Sequence, residues 1–419
     1  MRWLHPLLLG FGILAIAGAP PKTVAAEGVW AGVAKQDLQL PEGVPLAGYS
    51  RRGGDPAHGT HDAVGVRALV VQDADSTVAL VSCDLLIIDE RLFGAVQRRL
   101  RTADPDGELT LLLAATHTHS GPGAYGHKFL EKLSMGHFNP EVFEAIVDQT
   151  ADTILRARSQ LQPVRLAYQR GATEGLLVNR VDPKGTVEAE LIVSAFYPEA
   201  EESPLAVLVN FAAHPTTLGA WNMEFSADYP GVVMRAIEAR WPSAICLFFA
   251  AAVGDQAPVK RGNDFEPARW LGERVAEHAI ALLTHARPAA PTSVEAWHED
   301  LPLPPAKLRL GRFSLPRWLS QRFVDDDATL STALIGDVVF QGVPCDLTAD
   351  LGQQLKEAAQ AHGLQPVIVG FANDYIGYCV PETLYHTDAY EASLAFNGPR
   401  TGELIVQHLI QMLNQSGER

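Results

Sequence analysis

The sequence predicts an α/β protein, a mixed β-sheet core flanked by helices and folded as one large unit. Apolar, β-branched runs alternate along the chain with amphipathic stretches of helical spacing. Three of those runs break off into polar text that bears histidine or aspartate: THTHSG from Thr116, AAHPTT from Ala212 and AVGDQAP from Ala252. No low-complexity linker divides the 419 residues, although length alone would allow two or three domains.

The elements follow in order. VGVRALVVQD and TVALVSCDLLII are two β-rich runs separated by the turn-like DADS, and residues 89–101 have helical spacing. ELTLLLAATHTHS is the next strand, ending in polar residues, and PEVFEAIVDQTADTILRARSQL is a long amphipathic helix. Residues 165–197 read as strands around an Asp182-Pro183-Lys184-Gly185 turn. LAVLVNFAAH and AICLFFAAAVGD are buried strands, with the helix YPGVVMRAIEARW between them and a second helix over residues 268–286. Residues 301–316 are a proline-rich excursion, expected as a surface loop or a flap near a cleft. A helix over residues 349–362, the strand QPVIVGFAN and a last helix over residues 402–413 complete the pattern. Active sites of α/β folds gather at the carboxyl ends of strands, so the three loaded strand ends are the organisational clue.

Composition narrows the function. Hydrophobic residues make up 47% and charged ones 20%, as in ordinary globular proteins. Thirty-three basic against 49 acidic residues give a net charge of −16, which argues against a nucleic-acid partner. It leaves room for a small amphiphilic or lipid ligand in an apolar cleft, and equally for a merely solvated acidic surface. The four cysteines, Cys83, Cys246, Cys345 and Cys379, show no CxxC spacing, which excludes a cysteine-rich zinc site and a disulfide scaffold.

The first residues read as a secretory signal peptide. Arg2 supplies the positive region, residues 7–19 the apolar run, and Val24-Ala25-Ala26 a small-residue cleavage site before Glu27. Residues 1–26 are therefore expected to be removed on export to a periplasm or the exterior. The apolar run is too short to span a bilayer comfortably, and no transmembrane segment is expected in the mature chain. An uncleaved N-terminal anchor is the alternative.

His117 and His119 stand two apart at the tip of an apolar run. On an extended strand both would project to one face, where imidazole nitrogens suit zinc. Alone, HxH is a weak signal, and hydrogen-bonded surface histidines read the same way. His214 closes a second apolar run before Pro215, where it reads as a buried core histidine or a ligand. Two such strand ends favour metal.

THTHSGPG, NFAAHPT and AVGDQAP together resemble the catalytic domain of neutral ceramidases, secreted zinc amidases that cleave N-acyl sphingosine. GVAKQDLQLPEGVPLAGY, HGTHD, TVALVSCDLL, LLVNRVDP, DVVFQGVPCDLT and ANDYIGYCVPETLYHTDAYEAS extend the resemblance over nearly all of residues 27–419 in matching order. It implies a single zinc hydrolase domain there. It places zinc ligands on His117, His214, Asp346 and Tyr378, the aspartate standing where the family has glutamate. It gives His119 contact with the reacting part of the substrate, and makes Arg180 and Tyr390 donors to the carbonyl oxygen or its oxyanion. The proton for the leaving amine falls to His119, with Asp255 as the second choice.

Each residue has a plainer reading beside this one. Arg180 is also a natural structural ion-pair partner, Asp346 a turn residue, and the clustered tyrosines core. If Asp346 and Tyr378 share a metal, Cys345 and Cys379 come close enough for a disulfide, with two buried free thiols the plainer expectation.

Two departures bear on the substrate. Ala257 stands where ceramidases have a serine at the catalytic centre, and the chain stops soon after the catalytic domain, without the β-sandwich that follows in the family. Two alternatives therefore stand beside ceramide hydrolysis: a zinc hydrolase of an unrelated amide or ester, and a non-catalytic secreted binding protein that keeps the fold.

Overall fold

The computed structural model describes residues 28–310, 313–314, 320 and 323–415. The signal-peptide expectation therefore lies outside the described residues.

Eight strands form a mixed sheet in the order Ile245–Ala250, Ala206–Phe211, Glu190–Pro198, Gln162–Ala172, Trp30–Asp37, Gly65–Gln72, Thr77–Cys83, Thr110–Ala115. The outermost pair at each edge is parallel and the interior pairs are antiparallel. The four strands in the parallel pairs, Thr77–Cys83, Thr110–Ala115, Ala206–Phe211 and Ile245–Ala250, are near-continuous apolar runs because both of their faces are covered. The sheet curls until Ser82 Oγ donates to Phe248 O of the far edge strand at 2.6 Å.

One face carries the helices Glu90–Ala103, Pro140–Arg158, Asp228–Arg240 and Glu266–Thr284. Asp89 and Asn139 cap the first two, each accepting a first-turn backbone N–H, and Pro140 sits at the first turn where its missing N–H costs nothing. Gly32 permits the close approach of Pro140–Arg158, since a Cβ there would stand 2.2 Å from Ala157 O.

The other face packs on a second sheet, which the single-sheet expectation did not include. Its strands run Val294–Pro302, Asp327–Ile335, Val338–Val343, Gln365–Gly370, and only the last pair is parallel. Between the sheets lies an apolar layer that includes Leu69, Leu80, Phe196, Phe249, Phe340 and Val369. Helices Ala349–Ala361 and Thr401–Asn414 cover the outer face of the second sheet, so the layers run helix, sheet, sheet, helix. The α/β class and the mixed sheet flanked by helices agree with the sequence.

Of the excursion over residues 301–316, residues 311–312 and 315–316 lie outside the described residues, and its first part is less of a surface loop than expected. Its first residues end the strand Val294–Pro302, and Leu301, Leu303 and Ala306 are buried. Among the described residues, no helix is long and apolar enough to cross a membrane.

Candidate metal centre and cavity

The strand Thr110–Ala115 delivers His117 and His119, but not through the pleat. The strand stops at Ala115, and His117 turns into the left-handed region at φ 64°. A turn, rather than the alternation of an extended strand, aims the two imidazoles at one point, with His117 Nε2 and His119 Nε2 3.2 Å apart. Residues held in this region cost on the order of 1–3 kcal/mol each and persist only where the surroundings fix them. Gly48 lets the chain pass close to the second imidazole, since a Cβ there would stand 2.7 Å from the His119 side chain.

His214 arrives three residues beyond Ala206–Phe211. Its backbone N–H donates to Gln256 O at 3.1 Å, and Tyr229 Oη donates to Ala213 O at 2.5 Å. Its Nε2 stands 3.0 Å from that of His117 and 3.2 Å from that of His119. Three Nε2 atoms thus face one another across a buried point.

The tautomers decide what that point accepts. His117 Nδ1 lies 2.6 Å from Leu86 O, and a carbonyl only accepts, so Nδ1 carries the proton and Nε2 a lone pair. His214 Nδ1 faces Val253 O at 3.3 Å and reads the same way, with Arg180 Nη1 beside it at 3.5 Å. Two lone pairs facing at 3.0 Å repel unless a cation stands between them. A buried carboxylate oxygen, Asp346 Oδ1, is 3.6 Å from His117 Nε2 and 4.0 Å from His214 Nδ1 and has no hydrogen-bond partner. Two nitrogens bound tetrahedrally to zinc stand about 3.3 Å apart. The donor set fits a divalent cation.

Burial sets the electrostatics. It pushes the His117 imidazole down to about 3 and those of His119 and His214 well below the usual value, with neighbouring positive charge acting the same way. All three are neutral near pH 7, the form that ligates. Burial pushes the Asp346 carboxyl up to about 7 against the hydrogen bond from Tyr375 and the Arg180 charge.

Asp346 and Tyr378 meet because Asp346–Leu347 pairs in parallel with Tyr378–Cys379, in a register that sets the two opposite each other. The Tyr378 hydroxyl beside Asp346 helps to hold the carboxyl down against burial. Arg180 spans the back of the group: Nε donates to Glu391 Oε1 at 2.7 Å, and Nη2 to Gly254 O at 2.7 Å and to Tyr378 Oη at 2.9 Å. Its plain role as an ion-pair partner and its place beside the centre are therefore both real, and only the Nη1 hydrogens remain for another ligand. Tyr390, 64% exposed, sets its ring 5.9 Å from that of Tyr378.

Both carboxylate oxygens of Asp255 are held by neighbouring donors. Its Oδ1 accepts from Gln256 Nε2 and Ala349 N, both at 2.9 Å, and its Oδ2 accepts from Asn179 Nδ2 at 2.8 Å. A carboxylate so occupied braces the loops around it. Cys345 and Cys379 are free, buried thiols in hydrogen-bond contact, so they adjoin without a disulfide.

Two residues escaped the sequence reading. Tyr375 Oη donates to Asp346 Oδ2 at 2.8 Å, and Phe371 stacks on His117. Tyr375 was visible only as one of four closely spaced tyrosines, and Phe371 as part of a strand.

A cavity opens from the centre. His117, His119, Tyr378 and Tyr390 line one side, while Leu86, Ile87, Leu130, Phe323, Ile376 and Phe396 give it apolar walls. Phe323 lies just past the proline-rich excursion. A polar, cation-competent end and an aliphatic trough suit an amphiphile whose polar group is the one attacked.

Comparison with known proteins agrees with this geometry. The family model described as neutral/alkaline non-lysosomal ceramidase, N-terminal, matches residues 30–269. A neutral ceramidase of Pseudomonas aeruginosa is 26% identical over 471 residues, spanning 90% of this chain and 70% of that one. A neutral ceramidase of Mycobacterium tuberculosis is 27% identical over 266 residues, 55% of this chain and 42% of the relative. The crystal structure of the Pseudomonas aeruginosa neutral ceramidase superposes with a TM-score of 0.84 at 23% identity, covering 94% of this chain and 75% of the other. That likeness carries the fold.

Proposed function

The chain belongs to the neutral/alkaline non-lysosomal ceramidase family, and from that premise we propose that it is an exported, zinc-dependent hydrolase of the amide bond of N-acyl sphingosine or a similar N-acyl amine. The reading is carried by the converging Nε2 atoms of His117, His119 and His214, with the orphaned Asp346 Oδ1 beside them, at the polar end of an apolar cavity. Export rests on the leader-like residues 1–26 alone.

His117, His214, Asp346 and Tyr378 would hold the ion. When bound, zinc supplies a Lewis acid that polarises the amide carbonyl and lowers the pKa of a water molecule. The chain's own residues do the rest. Arg180 Nη1, whose hydrogens are not taken by Glu391, Gly254 or Tyr378, and the Tyr390 hydroxyl donate to the carbonyl oxygen as charge builds on it, the arrangement of a preorganised oxyanion hole. His119 lines the cavity and is neutral, so it takes a proton from the attacking water and passes it to the leaving nitrogen. The apolar walls seat an aliphatic chain and keep water from the polar end.

Elemental analysis of the purified protein, paired with hydrolysis of N-acyl sphingosines, N-acyl amino acids and simple esters, tests the proposal. One zinc per chain, lost in His117→Ala together with N-acyl sphingosine hydrolysis, is the expected result. A metal-free wild type that hydrolyses none of the panel would favour a binding protein that keeps the fold.

A further inference from the structure

Phe371 has a backbone that its side chain disfavours. It stands at φ 56°, in the left-handed region where a bulky residue is a genuine outlier, and it is fully buried. Such a conformation persists where neighbouring structure over-determines it. The chain here is fixed from both sides. Ala115 N donates to Phe371 O at 3.2 Å, tying it to the strand end that leads into His117. Two residues on, Asn373, also left-handed at φ 65°, acts as an extra strand residue: its N–H donates to Leu113 O, its Oδ1 accepts from Leu113 N, and its Nδ2 donates to Leu111 O.

The turn lays the Phe371 ring flat on the His117 imidazole, with centroids 3.8 Å apart and planes 3° from parallel. His117 is itself left-handed at φ 64°. Two unfavourable backbones thus meet in one face-to-face contact. The Leu86 carbonyl on Nδ1 fixes the tautomer of His117 and one point of its ring. A single hydrogen bond does not fix the plane, because the imidazole can still tilt about the axis through it. A flat ring against one whole face removes that tilt.

Resting on the proposed reading of His117 as a metal ligand, we propose that Phe371 is a positioning residue: its stacked ring holds the His117 imidazole plane so that Nε2 points at the ion position before the ion arrives. Preorganisation of this kind shows in how tightly and how long the metal is held, because a ligand free to tilt leaves more readily.

The test replaces the flat ring with an aliphatic side chain of similar bulk, Phe371→Leu, and measures zinc release to a chelator from the loaded protein. Release about tenfold or more faster than wild type is expected, the scale seen when groups that orient a metal ligand are removed. Phe340→Leu, a buried phenylalanine between the two sheets, serves as control for a cavity elsewhere. Its release rate should match wild type. Equal release from Phe371→Leu and wild type, with Phe340→Leu behaving likewise, overturns the inference while leaving zinc binding intact. A wild type that takes up no zinc overturns the functional reading instead. Should Phe371→Leu fail to fold, the metal-free wild type still decides: histidine-selective NMR should find the His117 ring protons displaced upfield by the stacked aromatic ring. Ordinary shifts would sink the proposal.

Discussion

Tyr375 Oη donates to Asp346 Oδ2 at 2.8 Å and leaves Oδ1 as the one oxygen of that buried carboxylate without a donor, 3.6 Å from His117 Nε2. The hydrogen bond turns a two-ended acceptor into a one-ended one that faces the His117 imidazole. It also opposes burial in setting the Asp346 pKa, because a donor to the charged form favours that form. Tyr375→Phe removes the donor and keeps the ring, so zinc affinity, measured by chelator competition, is expected to fall about 10- to 100-fold. Affinity equal to wild type would mean that Tyr375 is core and nothing more.

The buried imidazoles predict a pH signature in the metal-free protein. Burial holds His117 down to about 3, against about 6.5 in an unfolded chain. Between those values the unfolded state binds a proton that the folded state refuses, so the group's stability is intact above pH 6.5 and is lost as pH falls below it. Asp346, raised to about 7, acts with the opposite sign between about pH 4 and 7, so the wild-type profile alone is blunt. The contrast with His117→Gln isolates the histidine. Wild type should lose about 1.4 kcal/mol relative to the variant per pH unit below 6.5, read from urea midpoints at pH 7.5, 6 and 5 in the presence of chelator. Parallel profiles would show that His117 titrates normally.

How much of this was legible in the sequence follows from what local pattern encodes. Long elements with strong periodicity, such as Pro140–Arg158, and uniformly apolar strands, such as Ile245–Ala250, announce themselves because burial dictates their residues. His117 and His214 stood out as polar residues at the ends of apolar runs. The second sheet did not, because periodicity shows that a segment is a strand without showing which strands share a sheet. The pairing of Asp346 with Tyr378 came from family resemblance alone, since two short strands 32 positions apart carry no register signal. The bracing contacts of Asp255 were hidden for a related reason: a lone aspartate beside a strand end looks alike whether its oxygens are free or already held by Asn179, Gln256 and Ala349.

Arg180 is tied at three points, and that geometry is specific to guanidinium. Lysine keeps the charge but cannot hold Glu391, Gly254 and Tyr378 while leaving further hydrogens, those of Nη1, free for another acceptor. Arg180→Lys is expected to lower kcat by about 10²–10³, the cost of one oxyanion donor, with a smaller change in KM. Steady-state kinetics on an N-acyl sphingosine read the split. A variant that raises KM alone would place Arg180 in ground-state binding instead.

Asp255 gives the opposite expectation, because its carboxylate braces the loop after Ile245–Ala250 against the start of helix Ala349–Ala361 and the side chain of Asn179. In Asp255→Asn the new amide nitrogen must face a donor whichever way the group is turned: Asn179 Nδ2 on one side, Ala349 N and Gln256 Nε2 on the other. One buried hydrogen bond becomes a donor–donor contact, which costs about 1–3 kcal/mol. Thermal unfolding of the variant should therefore shift downward by several degrees, with kcat within about threefold of wild type at a temperature where both are folded. If kcat instead collapses while the unfolding temperature is unchanged, Asp255 carries a proton in the reaction and the bracing role is secondary.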